Sequence, residues 1–258
     1  MIKHILLIIS ILSVVNNIFS QENSFKYGEK LEYKVYYNFS FIWTEAGKVN
    51  FEIKKQQLEN IEAFHFIAIG ESLPAYDWLF RVRDRYDSFA TEDMKPLLHL
   101  RNTSEGDYKV NNVYKFDNKA EKIYTKTFNS ERETTLYDTL NFQKGVMDLV
   151  SLMYFARNID FNNFTIGQKI GFKAIIDGEI YNLTGKYLGD EIVESMEKKK
   201  YLCSKFSADV VEGSIFSAEN EMVVWVSKDK NKVPIKVLAE VLVGSVQAYL
   251  YTATNLKY

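Results

Sequence analysis

The stretch Lys30-Leu-Glu-Tyr-Lys-Val-Tyr-Tyr-Asn-Phe-Ser-Phe41 decides the fold. From Leu31 onward its odd positions carry apolar or aromatic side chains, and its even positions are mostly polar. Because successive side chains of a strand point to opposite faces, this alternation predicts one long strand with an apolar face and a polar face. Tyr33 and Tyr37 fall on the apolar face, which we expect to be internal.

The same two-residue period continues along most of the chain. Residues 80–88 and 108–116 alternate in this way, whereas residues 63–69 are apolar at both parities, as in a strand covered on both faces. Turn-forming residues at Ser104–Asp107 and at Asp177-Gly178 predict hairpins. Further strands are predicted at 49–53, 122–128, 169–176, 179–187, 200–208, 221–228, 233–242 and 245–254.

One segment departs from this period. Apolar residues between Val146 and Ala156 recur at helical spacing, which predicts a helix near 145–158 that begins at Gly145 or in the preceding loop. Strands that follow one another in sequence favour an antiparallel meander, and a sheet of about a dozen strands must curl, close or split. The predicted fold class is mainly β: a single antiparallel, strongly curved sheet or open barrel with one main α-helix. A β-sandwich is the alternative.

The N-terminus has the pattern of a secretory signal peptide. A positively charged start precedes an apolar run at 5–15, and the small side chain of Ser20 favours cleavage between Ser20 and Gln21. The run is too short to span a bilayer as a helix, and no later stretch is apolar enough. We therefore expect residues 1–20 to be a signal peptide and residues 21–258 to form a single β-rich domain. The mature protein is predicted to be periplasmic or secreted, with no transmembrane span.

Composition excludes several classes of protein. With 258 residues, 47% of them hydrophobic, and only 3 Pro and 12 Gly, the chain is neither disordered nor collagen-like. A net charge of −2 provides no basic field for a nucleic-acid partner. Cys203 is the only cysteine and is expected to be a buried core residue. His65 and His99 have no second ligand at metal-binding spacing, and no phosphate-binding glycine loop occurs, so we predict no metal and no cofactor.

Polar side chains on an otherwise apolar face are the candidate site residues. Asp84 has the same parity as Val82 and Tyr86, so an internal face would bury its carboxylate and require a partner. A structural Asp–Arg pair that fixes the sheet register is the alternative. Aromatic side chains on such faces suit a pocket for an amphipathic ligand, and they equally suit a tyrosine-rich core. The candidate ligand-binding residues are Tyr33, Tyr37, Asp84, Tyr86, Arg101, Glu105, Tyr108 and Arg157. No catalytic residue is assigned.

A series of short segments adds a family resemblance. In chain order they include Gly28–Tyr33, Phe80–Asp84, Glu105-Gly106, Asp148–Ser151, Val224–Ser227, Val233–Ile235 and Gly244–Ala248. Their order and spacing resemble the bacterial domain-of-unknown-function 3108 family, found in exported proteins of Bacteroidetes-like bacteria. The resemblance covers nearly the whole chain after the signal peptide. It implies a mostly β protein of the cell envelope and supplies no catalytic residue.

Three functions fit these observations. The first is an exported cell-envelope protein that binds or carries an amphipathic component such as a lipid or glycan, without catalysis. The second is a carboxylate-based hydrolase of envelope polymer, with Asp84 and Glu105 as its acid–base pair. The third is a structural or assembly partner of an outer-membrane complex, which an exposed apolar patch or an unpaired sheet edge would favour.

Overall fold

The computed structural model describes residues 22–40, 42–209, 221–241 and 244–258. The predicted signal peptide lies outside the described residues. The strands are β1 Lys30–Phe39, β2 Ile42–Leu58, β3 Ile61–Ser72, β4 Val82–Ala90, β5 Pro96–Glu105, β6 Tyr108–Asp117, β7 Lys122–Asn129, β8 Leu136–Asn141, β9 Val146–Met147, β10 Lys169–Ile176, β11 Glu179–Glu194, β12 Lys200–Asp209, β13 Glu221–Ser227, β14 Pro234–Glu240 and β15 Ser245–Thr254. A 3-10 turn spans Pro74–Tyr76, and the helix α1 spans Leu149–Ala156.

All fifteen strands belong to one sheet, in the order β8-β7-β6-β5-β4-β3-β2-β1-β15-β14-β13-β12-β11-β10-β9. Neighbouring strands are antiparallel, except that β9 pairs with β10 in parallel. The pairing of β1 with β15 joins two arms, each of which follows the chain order. β8 and β9 lie at the two ends of the sheet, so the sheet is open. The predicted single antiparallel sheet is therefore confirmed, and the described residues form no second sheet of a sandwich.

The sheet curls until side chains of its two arms meet. Tyr114, Phe116 and Ile123 from β6 and β7 form one buried cluster with Val146 of β9 and Ile175 of β10. Helix α1 fills the inside of the curl nearby. Its Val150 and Tyr154 pack on Phe25 and on a ladder of inward-facing residues of β3 and β4, namely Phe64, Phe66, Ala68 and Ala90. The face of β3 and β4 that contacts α1 is called the inner face below.

Two register irregularities flank β1, and burial along this strand does not follow a single face over its full length. Its register shifts against β15 between Glu32 and Tyr33, and against β2 between Val35 and Tyr36. In both cases the extra residue lies on the partner strand, namely Tyr251 of β15 and Ala46 of β2, so β1 itself runs on without an inserted residue. Beyond the second shift Tyr36 is buried, whereas Phe39 is 45% exposed. The expected internal position is therefore wrong at Phe39, and Phe41 lies outside the described residues.

The helix is shorter than predicted because its first expected turn is a strand. Val146 and Met147 pair with β10 instead of continuing the helix. Asp148 then caps α1, since its side chain accepts hydrogen bonds from the backbone amides of Val150 and Ser151. Val146 and Met147 are also buried, so their apolar character fits either structure. The helix predicted near 145–158 is confirmed only over Leu149–Ala156.

Candidate functional site

Five of the eight candidate residues lie on the inner face of β4, β5 and β6. Tyr86 pairs with Arg101, and Glu105 pairs with Tyr108, across neighbouring strands. Asp84 pairs with Thr103, so its side chain lies diagonal to those of Arg101 and Glu105. We call Asp84, Tyr86, Arg101, Glu105 and Tyr108 the β4–β6 patch. All five are partly buried, which leaves them accessible to a ligand.

The pKa of Asp84 is strongly perturbed. Its carboxylate accepts a hydrogen bond from the Ser104 amide at 3.1 Å. Burial and the charge of Glu105 raise its pKa to about 7, although the Ser104 amide and Arg101 act in the opposite direction. Near neutral pH this carboxyl therefore exists in both protonation states, so it can donate a hydrogen bond as well as accept one.

Arg101 links the patch to the opposite arm of the sheet. Its guanidinium donates to Asp177 Oδ1 at 2.9 Å and lies 5.8 Å from the centre of the Tyr86 ring. Burial disfavours its charge, but Tyr86, Asp177 and Glu105 outweigh burial and raise its pKa. Asp177 belongs to the β10–β11 turn and also accepts from Asn112 at 2.8 Å. This turn therefore docks over the inner face beside the patch.

An exposed apolar segment adjoins the patch. Trp78 is 81% exposed and Leu79 is 68% exposed, and both lie in the connection between β3 and β4. The ring of Phe80 lies against Gly106, since a Cβ there would be 3.2 Å from it. Gly106 also donates to the carbonyl of Arg81 at 2.8 Å. Because Gly106 follows Glu105, polar and apolar surfaces meet at this rim of the sheet.

The connection that carries Trp78 is held in a defined conformation. Asp77 accepts hydrogen bonds from both terminal nitrogens of Arg83, at 3.1 and 2.5 Å, and from Ser72 Oγ at 2.5 Å. The hydroxyls of Thr44 and Tyr76 lie 2.5 Å apart and tie the connection to β2. The exposure of Trp78 is therefore a feature of an ordered loop.

Three predicted residues lie elsewhere. Tyr33 is buried in the core of β1 and β12–β15, and its hydroxyl donates to the carbonyl of Pro234 at 2.9 Å. Arg157 is buried and pairs with Glu29 instead of with Asp84. Tyr37 follows the second irregularity of β1 and is partly buried. The structure brings none of these three into the β4–β6 patch.

A buried polar cluster next to the patch was not predicted. Ser88 Oγ donates to Asp148 Oδ1 at 2.7 Å, and His99 Nδ1 lies 2.8 Å from Ser88 Oγ and 3.2 Å from Asp148 Oδ1. Burial would raise the pKa of Asp148, but His99, the Ser151 amide and Ser88 together lower it to about 2. Both oxygens lie at the same ring nitrogen, so the imidazole does not stand between them as in a hydrolase triad. The cluster anchors α1 to the sheet.

Comparison with known proteins assigns the family. The model of the family described as Protein of unknown function (DUF3108) matches residues 32–251. The chain belongs to this family. The family resemblance predicted from the sequence is thereby confirmed. No curated protein matches the chain.

A solved structure shares the fold of this DUF3108 protein. It is the crystal structure of a beta-barrel-like protein of the domain of unknown function DUF1849 from Brucella abortus, with a TM-score of 0.57 and 11% sequence identity. The similarity covers 91% of this chain and 100% of that chain. At this level of identity the similarity concerns the fold alone.

The described part of this DUF3108 chain has neither a metal-ligand cluster nor a membrane-spanning helix. Within the described ranges, no group of three or more His, Cys, Asp or Glu side chains could hold a metal ion. No described helix is long and apolar enough to cross a bilayer. Cys203 is buried, as predicted, and burial raises the pKa of its thiol to about 12. The thiol is therefore protonated at neutral pH and is a poor nucleophile.

Proposed function

We propose that this chain is an exported protein of the cell envelope that binds or carries an amphipathic component, such as a lipid or glycan, and has no catalytic activity of its own. The observation that carries the proposal is the junction at Glu105-Gly106 of the β4–β6 patch with the Trp78–Phe80 segment. A polar group of the ligand would contact the patch, while its apolar part would lie on the exposed rings.

The patch has the donors and acceptors that hydroxyl or phosphate groups require. Arg101 presents a guanidinium, and the phenols of Tyr86 and Tyr108 both donate and accept. Burial raises the pKa of Tyr86 to about 12 and also raises that of Tyr108, so both remain protonated at neutral pH. The side chains are partly buried and mutually supported, which favours binding because little conformational freedom is lost.

The test uses the full chain purified from its native host. Native mass spectrometry and solvent extraction would reveal a bound lipid or glycan on the wild type. Asp84→Asn with Glu105→Gln is expected to remove it, and so is Trp78→Ser with Leu79→Ser. The control is Ile192→Ser with Leu202→Ser, which alters two residues that are 67% and 55% exposed and pair across β11 and β12.

The control is expected to retain the ligand. Wild-type protein without any bound lipid or glycan would refute the carrier proposal, as would a ligand that persists in both test variants. Stoichiometric recovery of another envelope protein instead of a small ligand would favour an assembly role. The exposed end strand β8 offers unpaired backbone groups for such a partner.

A hydrolase of envelope polymer is the second candidate function, and the perturbed Asp84 favours it. Asp84 and Glu105 lie on one face, and a carboxyl group whose pKa is raised to about 7 can act as an acid or a base near neutral pH. In that case Asp84→Asn would abolish hydrolysis on a panel of envelope glycans, while Asp87→Asn on the opposite face of β4 would not. Equal activity of the wild type and Asp84→Asn would exclude this function.

A further inference from the structure

A cleft of about 430 Å³ is lined by none of the five β4–β6 patch residues. Its walls are the turn at 228–232 between β13 and β14, residues 158–162 after α1, the N-terminal residues Glu22 and Ser24, and Tyr258. This volume falls in the range of small-molecule binding sites. The cleft is therefore a candidate site in its own right.

Buried hydrogen bonds fix the walls of the cleft relative to one another. The Arg157 guanidinium donates to the carbonyl of Asn231 at 3.1 and 2.9 Å, and Ser24 Oγ donates to the carbonyl of Arg157 at 2.8 Å. The Ser24 amide donates to Asn158 Oδ1 at 2.8 Å. Asn231 and Tyr258 exchange two hydrogen bonds, at 2.8 and 2.9 Å. The cleft is thus formed before any ligand binds, which lowers the entropic cost of binding.

The carboxylates of the cleft already have partners. Asp229 accepts hydrogen bonds from two backbone amides of its own turn, at 2.9 and 3.1 Å. Asp160 accepts from the amide and the side chain of Asn162, at 3.1 and 2.8 Å. Glu22 pairs with Lys257 at 2.7 Å. These contacts fix the positions of the carboxylates, while Asp160 and Glu22 still attract Lys232 and Lys230, respectively.

The ammonium groups of two lysines of the cleft contact aromatic rings and not carboxylates. In the part of the chain that the structure describes, Lys230 and Lys232 form no ion pair. Their ammonium groups lie over rings instead, Lys230 at 5.3 Å from Tyr258 and Lys232 at 5.5 Å from Phe161. Burial lowers the pKa of Lys232, although Asp160 opposes the shift. A partly buried cation that makes no direct ion pair is stabilised further by an anion that contacts it.

We infer that this cleft binds a small organic anion whose carboxylate or phosphate group is held by the ammonium groups of Lys230 and Lys232. The aromatic rings of Phe161 and Tyr258 form apolar wall beside these ammonium groups. Arg157 is a positioning residue, because it joins the segments that carry the lysines and the rings without lining the cleft. The inference does not depend on the β4–β6 patch.

Titration calorimetry of the full chain with citrate and with pyrophosphate, at constant ionic strength, tests the inference. At least one probe is expected to bind with a dissociation constant of about 1 mM or tighter. Lys230→Met with Lys232→Met should weaken that binding by roughly tenfold or more, because charge-assisted hydrogen bonds are lost. The matched control is Lys126→Met with Lys199→Met, since these lysines also lie over tyrosine rings, at 6.0 and 4.9 Å.

The control should bind the probe as the wild type does. Absence of heat with both probes would overturn the inference, and so would unchanged affinity in the test variant or an equal loss in the control. An equal loss would mean that binding follows net charge alone. Melting curves establish that each variant is folded. Should the double variant fail to fold, Lys230→Met alone gives the same test, because Lys230 is exposed on its turn.

Discussion

The guanidinium of Arg157 and the carboxylate of Glu29 form a two-point ion pair, with contacts of 2.5 and 2.9 Å, that is almost completely excluded from solvent. The pair joins the C-terminal end of α1 to the residue that precedes β1. Arg157 also donates to the carbonyl of Asn231, and its guanidinium lies between the rings of Phe25 and Tyr154 at 5.5 and 5.4 Å. Arg157 therefore connects three segments that are distant in sequence, namely the end of α1, residues 25–29 and the turn between β13 and β14.

Removal of either partner is expected to destabilise the protein strongly. Glu29→Gln leaves the buried guanidinium without its counter-charge, which should lower the free energy of unfolding by about 3 to 5 kcal/mol. Replacing both residues, as in Glu29→Leu with Arg157→Met, should cost less than the single change because no uncompensated charge remains. Urea unfolding followed by circular dichroism measures the difference.

The control for this pair is the exposed ion pair of Lys55 and Glu62, whose atoms lie 2.6 Å apart. Both side chains are more than half exposed, so Glu62→Gln should change stability by less than about 1 kcal/mol. Equal effects of Glu29→Gln and Glu62→Gln would show that burial of the pair does not govern its contribution.

The stability of the protein should depend on the protonation of Asp84. Burial and Glu105 raise its pKa from an ordinary value of 3.8 to about 7, so the folded state binds this proton more tightly than the unfolded state does. Because protonation and folding are linked, the contribution of Asp84 to the free energy of unfolding must fall as the pH rises from about 4 to about 7. Asp84→Asn should flatten the pH dependence in that window.

Unfolding by urea at several pH values between 4.5 and 8 measures this effect, and a carboxyl-carbon NMR titration of Asp84 measures the pKa directly. The control is Asp87→Asn on the opposite face of β4. Burial would raise the pKa of Asp87, but Arg85 and His65 outweigh burial and lower that pKa below its ordinary value. A wild type and an Asp84→Asn variant with parallel profiles would contradict the prediction.

Local alternation was sufficient to predict the sheet and part of the site. The strands at 169–176, 200–208 and 245–254 match β10, β12 and β15 to within one residue. Parity also placed Asp84, Tyr86 and Tyr108 on inner faces, because a strand without a bulge keeps its faces over its full length. At the end of β1 the same reasoning failed, because Phe39 is 45% exposed although it has the parity of the buried Leu31 and Tyr33.

Contacts between distant segments could not be derived from such patterns. Arg157 pairs with Glu29 across 128 positions, and Asp177 reaches Arg101 across 76. Both depend on how far the sheet curls, which is a property of all its strands together. The sequence does mark Asp177-Gly178 as a turn, and Asp148 falls inside the helix predicted near 145–158. Neither signal identifies the partner, so the Ser88–His99–Asp148 cluster emerges only from the folded chain.

Asp148→Ala should destabilise the protein by about 2 kcal/mol or more. The change removes the helix cap, which contributes about 1 kcal/mol, and it leaves Ser88 and His99 with an unmade buried hydrogen bond that costs about 1 to 3 kcal/mol. The control is Asp117→Ala, since Asp117 also accepts from two backbone amides but lies in an exposed turn. Similar losses of stability in both variants would show that the buried cluster adds nothing to the cap.

Two glycines of the sheet should respond in opposite ways to an added methyl group. A Cβ at Gly47 in β2 would lie 2.6 Å from the carbonyl oxygen of Glu71, so Gly47→Ala must separate β2 from β3 locally. We expect a loss of about 1 to 3 kcal/mol, as for other overpacked sites.

At Gly171 in β10 no atom lies within 4 Å of the added Cβ. Gly171→Ala should therefore be neutral or stabilise by about 0.4 to 1 kcal/mol, because it restricts the unfolded chain. Thermal and urea unfolding of the two variants measure the contrast, and equal stability changes would mean that the close approach of β2 to β3 does not constrain position 47.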